Sequence, residues 1–195
     1  KGYRLASMSE LYAEWKMLQE KSSAQTLGSA ERKAITQYRK DFRESWIVTN
    51  TTLDYDGDDV TITHHTASPA SQKVSAPFYN GITIAGAIMQ DCNACETYLR
   101  AYFGTNDDIT TMTDVVVFIS ERTKDTTKLW TPTIDERKQT PGRVAFVDNS
   151  TDYFHVDGVT LANNSGRARR VLGSTAAAGG EKIRAPQRTE VFHDS

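Results

Sequence analysis

The sequence predicts an α+β fold, and three observations carry that prediction. Two helical stretches with apolar stripes precede residue 47. From Ile47 onward, short runs rich in β-branched and aromatic residues alternate with turn signals. One further helical stripe, Asn80 to Gly104, interrupts the strands. The expected architecture is an N-terminal helical hairpin, a mostly antiparallel sheet with one central helix, and an extended C-terminal arm. These map onto residues 1-47, 48-163 and 164-195.

In the first helix, residues 7–20, Met8, Leu11, Tyr12, Trp15 and Leu18 fall on one face, and Ser7 with Glu10 has the spacing of a capping box. Small and polar residues 21–29 break the pattern. A second helix is expected from Ala30 to Trp46, with Ser29 as its N-cap and Ala34, Ile35, Tyr38, Phe42 and Trp46 on its stripe. A short connection between two such helices predicts an antiparallel pair.

The stretch from Ile47 to His65 reads as two strands around Asp56-Gly57, a pair suited to a type I′ turn. Residues 66–79, with Pro69 and Pro77, read as a loop. In the central helix, Ile84, Ile88, Cys92, Cys95, Leu99 and Tyr102 recur at steps of three and four, and Gly104 stands where a C-terminus takes positive φ. Asp114 to Ser120 is the most hydrophobic run and predicts a strand buried on both faces. Lys128 to Ile134 is expected as an edge strand because of Pro132. Arg143 to Asp148 predicts another strand, and Asp152 to Ala162 a hairpin with Asp157-Gly158 at its tip.

Composition excludes several classes. With 38% hydrophobic and 25% charged residues and a net charge of −2, the 195-residue chain is not, as a whole, a nucleic-acid or membrane-surface binder. No apolar run reaches the roughly 18–20 residues of a spanning helix. The chain begins at Lys1 and not at a methionine, as a trimmed or processed product would. Phosphate-cradling glycine loops and the G-x-S-x-G elbow are absent. The acids Asp54, Asp56, Asp58 and Asp59 do not match a calcium loop, because Gly57 arrives too early; a solvated turn accounts for them. His155 lies near Asp152 and Asp157, and alternation places it opposite Phe154, as an ordinary strand histidine.

Both cysteines of the chain form the pair Cys92-Asn-Ala-Cys95. A redox pair of this spacing belongs at a helix N-terminus, whereas the apolar stripe begins two turns earlier. A zinc site needs two ligands more, for which His64 and His65 are the candidates. If residues 82–90 form a strand, the order strand, Cys-x-x-Cys, helix, strand (DVVVFIS) resembles the cytidine-deaminase-like zinc fold. That resemblance implies a zinc-bound water and a proton-moving Glu in an upstream His-x-Glu. His64-His65-Thr66-Ala67 offers no such Glu, and Asp91 stands where the family has Pro. The alternative to all of these places both thiols on the buried stripe of one helix as small hydrophobes, and it is the reading preferred from sequence.

After Asn163 no periodic stripe remains. From Asn163 to Glu190 six basic residues face two acidic ones, a net of +4 in a chain of −2. An arm of this composition becomes ordered when a partner holds it, and Arg167, Arg169, Arg170 and Arg184 are its expected contacts. With no aromatic interleaved to stack on bases, a protein partner fits better than nucleic acid. The sequence therefore points to a non-enzymatic structural subunit of a larger assembly, a viral or phage particle being one such setting, docking through its arm and needing no cofactor. The alternative is a zinc or redox enzyme centred on Cys92 and Cys95. A pocket for a small ligand between helix and sheet is a third class.

Overall fold

Residue by residue, the computed structural model describes 3–149, 152–160, 167–168 and 170–172. In order the elements are β1 (Tyr3–Leu5), α1 (Met8–Ser23), α2 (Ser29–Glu44), β2 (Ile47–Asp56), β3 (Asp59–His64) and β4 (Ala70–Ser75). There follow β5 (Asn80–Thr83), α3 (Ile84–Phe103), α4 (Ile109–Ser120), β6 (Thr127–Trp130), α5 (Ile134–Gln139) and β7 (Gly142–Asn149). Last come β8 (Phe154–Thr160), β9 (Arg167–Ala168) and β10 (Arg170–Leu172). The chain is thus α+β, helices against a curled mixed sheet, with strand order β4-β3-β2-β7-β8-β6-β5 and β9 beside β2. Most pairs are antiparallel; β6 with β8 and β2 with β9 are parallel.

Local chemistry explains the N-terminal helices. Ser7 caps α1 and Glu10 returns the bond to the Ser7 amide at 2.9 Å, the reciprocal box expected. The cap of α2 is Gly28 and not Ser29, with no side-chain bond, and the helix stops at Glu44, leaving Trp46 outside it. Trp15 packs edge-on against Tyr38 and Phe42, while the Tyr38 hydroxyl donates to Glu14 at 2.6 Å. Asp107 ties the base of α1 to the loop before α4, accepting from Tyr12 at 2.9 Å and Lys16 at 2.7 Å.

Several elements differ from expectation for identifiable reasons. The run Asp114 to Ser120 is helix α4, not a strand. Asp108 caps it, accepting from the Thr111 amide at 2.7 Å, and Met112, Val115, Val116 and Ile119 share its buried stripe. Packing of that stripe overrides the β preference of three consecutive valines. Residues 70–75 form β4 where a loop was expected; its mostly exposed, polar side chains hid a strand that pairs, among the described residues, with β3 alone. Strand β6 is not an edge, since it lies between β8 and β5 and ends before Pro132. The β2–β3 turn centres on Gly57-Asp58, and of the two only Gly57 takes positive φ, at 60°, the pattern of a type II′ turn.

The expected hairpin at Asp157-Gly158 does not form. Both residues lie inside β8, which pairs along its whole length with β7. Gly158 is there for space: a Cβ on it would lie 2.6 Å from Leu53 Cδ1. The hairpin is made by β7 and β8 instead.

One contiguous core runs from Ala6 through Trp15, Phe42, Leu53, Leu99 and Val116 to Val156, so the N-terminal helices share it with the sheet. Of the C-terminal arm, residues 167–168 and 170–172 pair with the body of the same chain, at β2 and at β1. The remaining arm, with Arg169 and Arg184, and the side chains of Arg167 and Arg170 lie outside the described residues.

Candidate binding pocket

Strand alternation puts Asp157, His155 and Asp148 on the face of the sheet turned away from the core, since Phe154, Val156 and Gly158 point inward. Their neighbours on that face come from β6, whose Trp130 and Lys128 alternate with buried Leu129 and Thr127. Where β6 runs out at Pro132 and α5 begins, a pocket of about 220 Å³ opens, lined by Phe78, Asn80, Trp130, Thr131, Pro132, Thr133, Glu136, Arg143 and Asp157.

The Trp130 ring forms one wall, and the chain passes close to it. Gly81 sits at φ 65°, and a Cβ there would come within 2.7 Å of the indole, so only glycine fits both the turn and the contact. Trp130 also stacks on His155, with ring centroids 4.2 Å apart and planes within 12°. Tyr153 follows at 4.4 Å from His155, and Lys128 caps that ring at 4.6 Å. Burial, with Lys128 adding to it, pushes His155 down to about 4, so it is neutral near pH 7. Its Nε2 is buried without a hydrogen-bond partner.

The polar side of the pocket is held by α5. Thr133 and Glu136 form a capping box, the Glu136 carboxylate accepting from the Thr133 amide at 2.7 Å, which lowers its pKa. Arg137, nearly fully buried, fixes the helix to the sheet. It donates to the carbonyls of Pro132 at 2.9 Å, Gly57 at 2.8 Å and Ala76 at 2.6 Å, and lies over the Tyr55 ring. Arg143 donates through Nη1 to Gly158 O at 3.1 Å, while its Nε is buried with no partner. Burial pushes Asp157 up to about 7; the Gly158 amide and Arg143 pull it back and Glu136 pushes it further up. Asp157 and the incompletely bonded Arg143 guanidinium thus line one cleft, an arrangement that recurs at functional sites.

The residues singled out from sequence are not brought together. His64 is engaged in the core: Thr51 takes the Met8 amide at 2.9 Å, faces His64 Nδ1 at 2.9 Å, and His64 Nε2 donates to Ala101 O at 2.9 Å. His65 Nε2 lies 3.1 Å from Thr52 Oγ1. Among the described residues no group of three or more His, Cys, Asp or Glu side chains is placed to hold a metal. The frame behind the deaminase-like resemblance is absent too, because residues 84–90 and the run DVVVFIS are both helical.

The cysteines require a correction. Only Cys95 is on the buried stripe; Cys92 is exposed. Helix α3 is broken at Asp91, which has φ −155° and ψ 89°, so the stripe changes phase there. The pocket at Trp130 gave no sequence signal beyond Asp157, which Gly158 disguised as a turn residue. Comparison with protein-family models, curated proteins and solved structures finds no match. Among the described residues no helix is long and apolar enough to cross a membrane.

Proposed function

We propose that the protein is an interaction subunit of a larger assembly, joined to a second copy of itself at two places: the mouth of the Phe78–Trp130 pocket and the basic C-terminal arm. The observation that carries the first contact is Phe78. It stands 51% exposed at the mouth of a pocket whose buried Arg143 Nε lacks a partner. A large exposed aromatic at the mouth of a cleft is the composition of an anchor site, where a neighbour's chain covers the ring. Ile134, 38% exposed at the start of α5, adds apolar area nearby. In the arm, Arg167, Arg169, Arg170 and Arg184 would meet acids on the neighbour, in contacts that weaken as salt rises.

Light scattering on the full chain tests this reading. Oligomers should form, and Phe78→Ser should dissociate them without lowering the melting temperature. Replacing the four arginines with Gln should remove the salt dependence. A monomer at every soluble concentration overturns the proposal.

A further inference from the structure

We propose that Cys92 and Cys95 form a thiol–disulfide exchange site, with Cys92 attacking a disulfide of a partner polypeptide and Cys95 resolving the mixed disulfide. The break at Asp91 makes this readable. Residues 89–93 form an exposed elbow, and a new helical segment begins at Cys92. Asp91 caps that segment, its Oδ1 accepting from the Ala94 amide at 3.0 Å. The pair therefore sits in the first turn of a helix, the place that a Cys-x-x-Cys redox pair takes.

The two thiols differ as the chemistry requires. Cys92 is exposed and accessible to a polypeptide, whereas Cys95, three residues on, is fully buried. Residues three apart on a helix have Cα atoms roughly 5 Å apart, within the range that a disulfide spans. A second, independent feature marks the site. Tyr79 is 2% exposed, and its hydroxyl is buried with no oxygen or nitrogen partner. It lies against the Cys95 thiol, where a phenol can donate to sulfur as charge develops. Burial, with Cys92 and Asp91 adding to it, pushes Cys95 up to about 12, while Tyr79 pulls it back. Cys95 is thus a protonated thiol at rest. Met89, 89% exposed on the elbow, gives a docking polypeptide an apolar contact beside Cys92.

The electrons balance. The Cys92 sulfur attacks one sulfur of the partner's disulfide, that bond breaks, and the other partner sulfur leaves and takes up the Cys92 proton. Cys95 then gives up its proton and attacks Cys92 Sγ. The Cys92–Cys95 bond forms, and the second partner sulfur leaves as a thiol. The partner's disulfide is reduced by two electrons and the dithiol is oxidised by two. Run backwards, the same steps oxidise a partner dithiol.

The test equilibrates the full chain with reduced and oxidised glutathione, quenches with an alkylating agent and reads intact mass. The wild type should interconvert reversibly between a doubly alkylated form and one that has lost two hydrogens. Cys95→Ala should accumulate a single glutathione on Cys92, and Cys92→Ser should accumulate none. Tyr79→Phe, with its melting temperature retained, should shift the redox midpoint by a factor of several in the glutathione ratio. A wild type that accumulates glutathione on Cys92 and never closes the internal disulfide overturns the proposal. So does a chain in which neither thiol reacts before unfolding. Neither readout depends on assembly.

Discussion

Arg137 donates to the carbonyl of Gly57, 2.8 Å away and 80 positions earlier in the chain. With its bonds to Pro132 and Ala76, this one side chain fastens α5, the β2–β3 turn and the start of the 76–79 loop. Among the described residues no carboxylate pairs with it, and its charge is met by carbonyl oxygens and the Tyr55 ring.

Removing Arg137 leaves three buried or half-buried carbonyls without their donor. At about 1–3 kcal/mol for each stranded group, Arg137→Met should destabilise the fold by at least about 3 kcal/mol, read as a lower urea midpoint. Arg137→Lys should recover less than half of that, because an ammonium cannot reproduce the guanidinium fork. An unchanged midpoint in both variants would mean that the clamp is ornamental.

How much of this was legible in the sequence follows from which forces set each element. Local chemistry is written in the chain: the Ser7–Glu10 box and the left-handed Gly104 need no distant partner. The element at Asp114 to Ser120 turned on tertiary packing, since three valines favour a strand until Met112, Val115, Val116 and Ile119 have a core to face. Strand β4 carries a polar sequence because it is exposed, so alternation gave no signal. The break at Asp91 was the most consequential miss. An Asp three residues before Ala94 is a cap signal, but it was overridden by an apolar stripe that looked continuous. The pocket was illegible because it joins β6, α5, β7 and β8, whose neighbourhood only the topology creates.

Gly158 illustrates the same point energetically. In a hairpin tip Gly158→Ala would cost little beyond backbone strain. In mid-strand the new methyl meets buried Leu53 Cδ1 at 2.6 Å, and displacing a packed leucine costs about 1–3 kcal/mol. The variant should therefore lose stability in urea by that amount, and Leu53→Ala combined with it should show less than additive loss.

The two N-terminal tryptophans should separate in a quenching experiment. Trp15 is 0% exposed in the core, while Trp46 is half-buried outside α2, edge-on to Phe146. Iodide should leave Trp15 fluorescence unquenched in Trp46→Phe, Trp130→Phe protein. Quenching of that single indole at the rate of free tryptophan would contradict the packing of α1.

His64 should weaken the fold in mild acid. Burial lowers its pKa below 6.5, outweighing the Ala101 carbonyl that favours the charged form. Below about 6.5 the unfolded chain takes up a proton that folded His64 refuses. Its contribution is therefore complete above that pH and is lost as pH falls toward the folded value. The stability advantage of wild type over His64→Gln should shrink as pH drops through this window. An advantage that grows instead would mean that the imidazole is charged in the fold.

Asp157 should act with the opposite sign. Its folded pKa is about 7 against an ordinary value of 3.8, with burial the leading cause. Between those values the folded protein keeps a proton that the unfolded chain has released, so stability falls as pH rises across the window and levels off above it. Asp157→Asn retains the acceptor for the Gly158 amide and cannot ionise. The variant should match wild type near pH 4 and exceed it above pH 7, by at most about 4 kcal/mol. Urea unfolding of the pair at several pH values reads this directly. A difference that stays flat with pH would show that water reaches the carboxylate and that burial does not hold its proton.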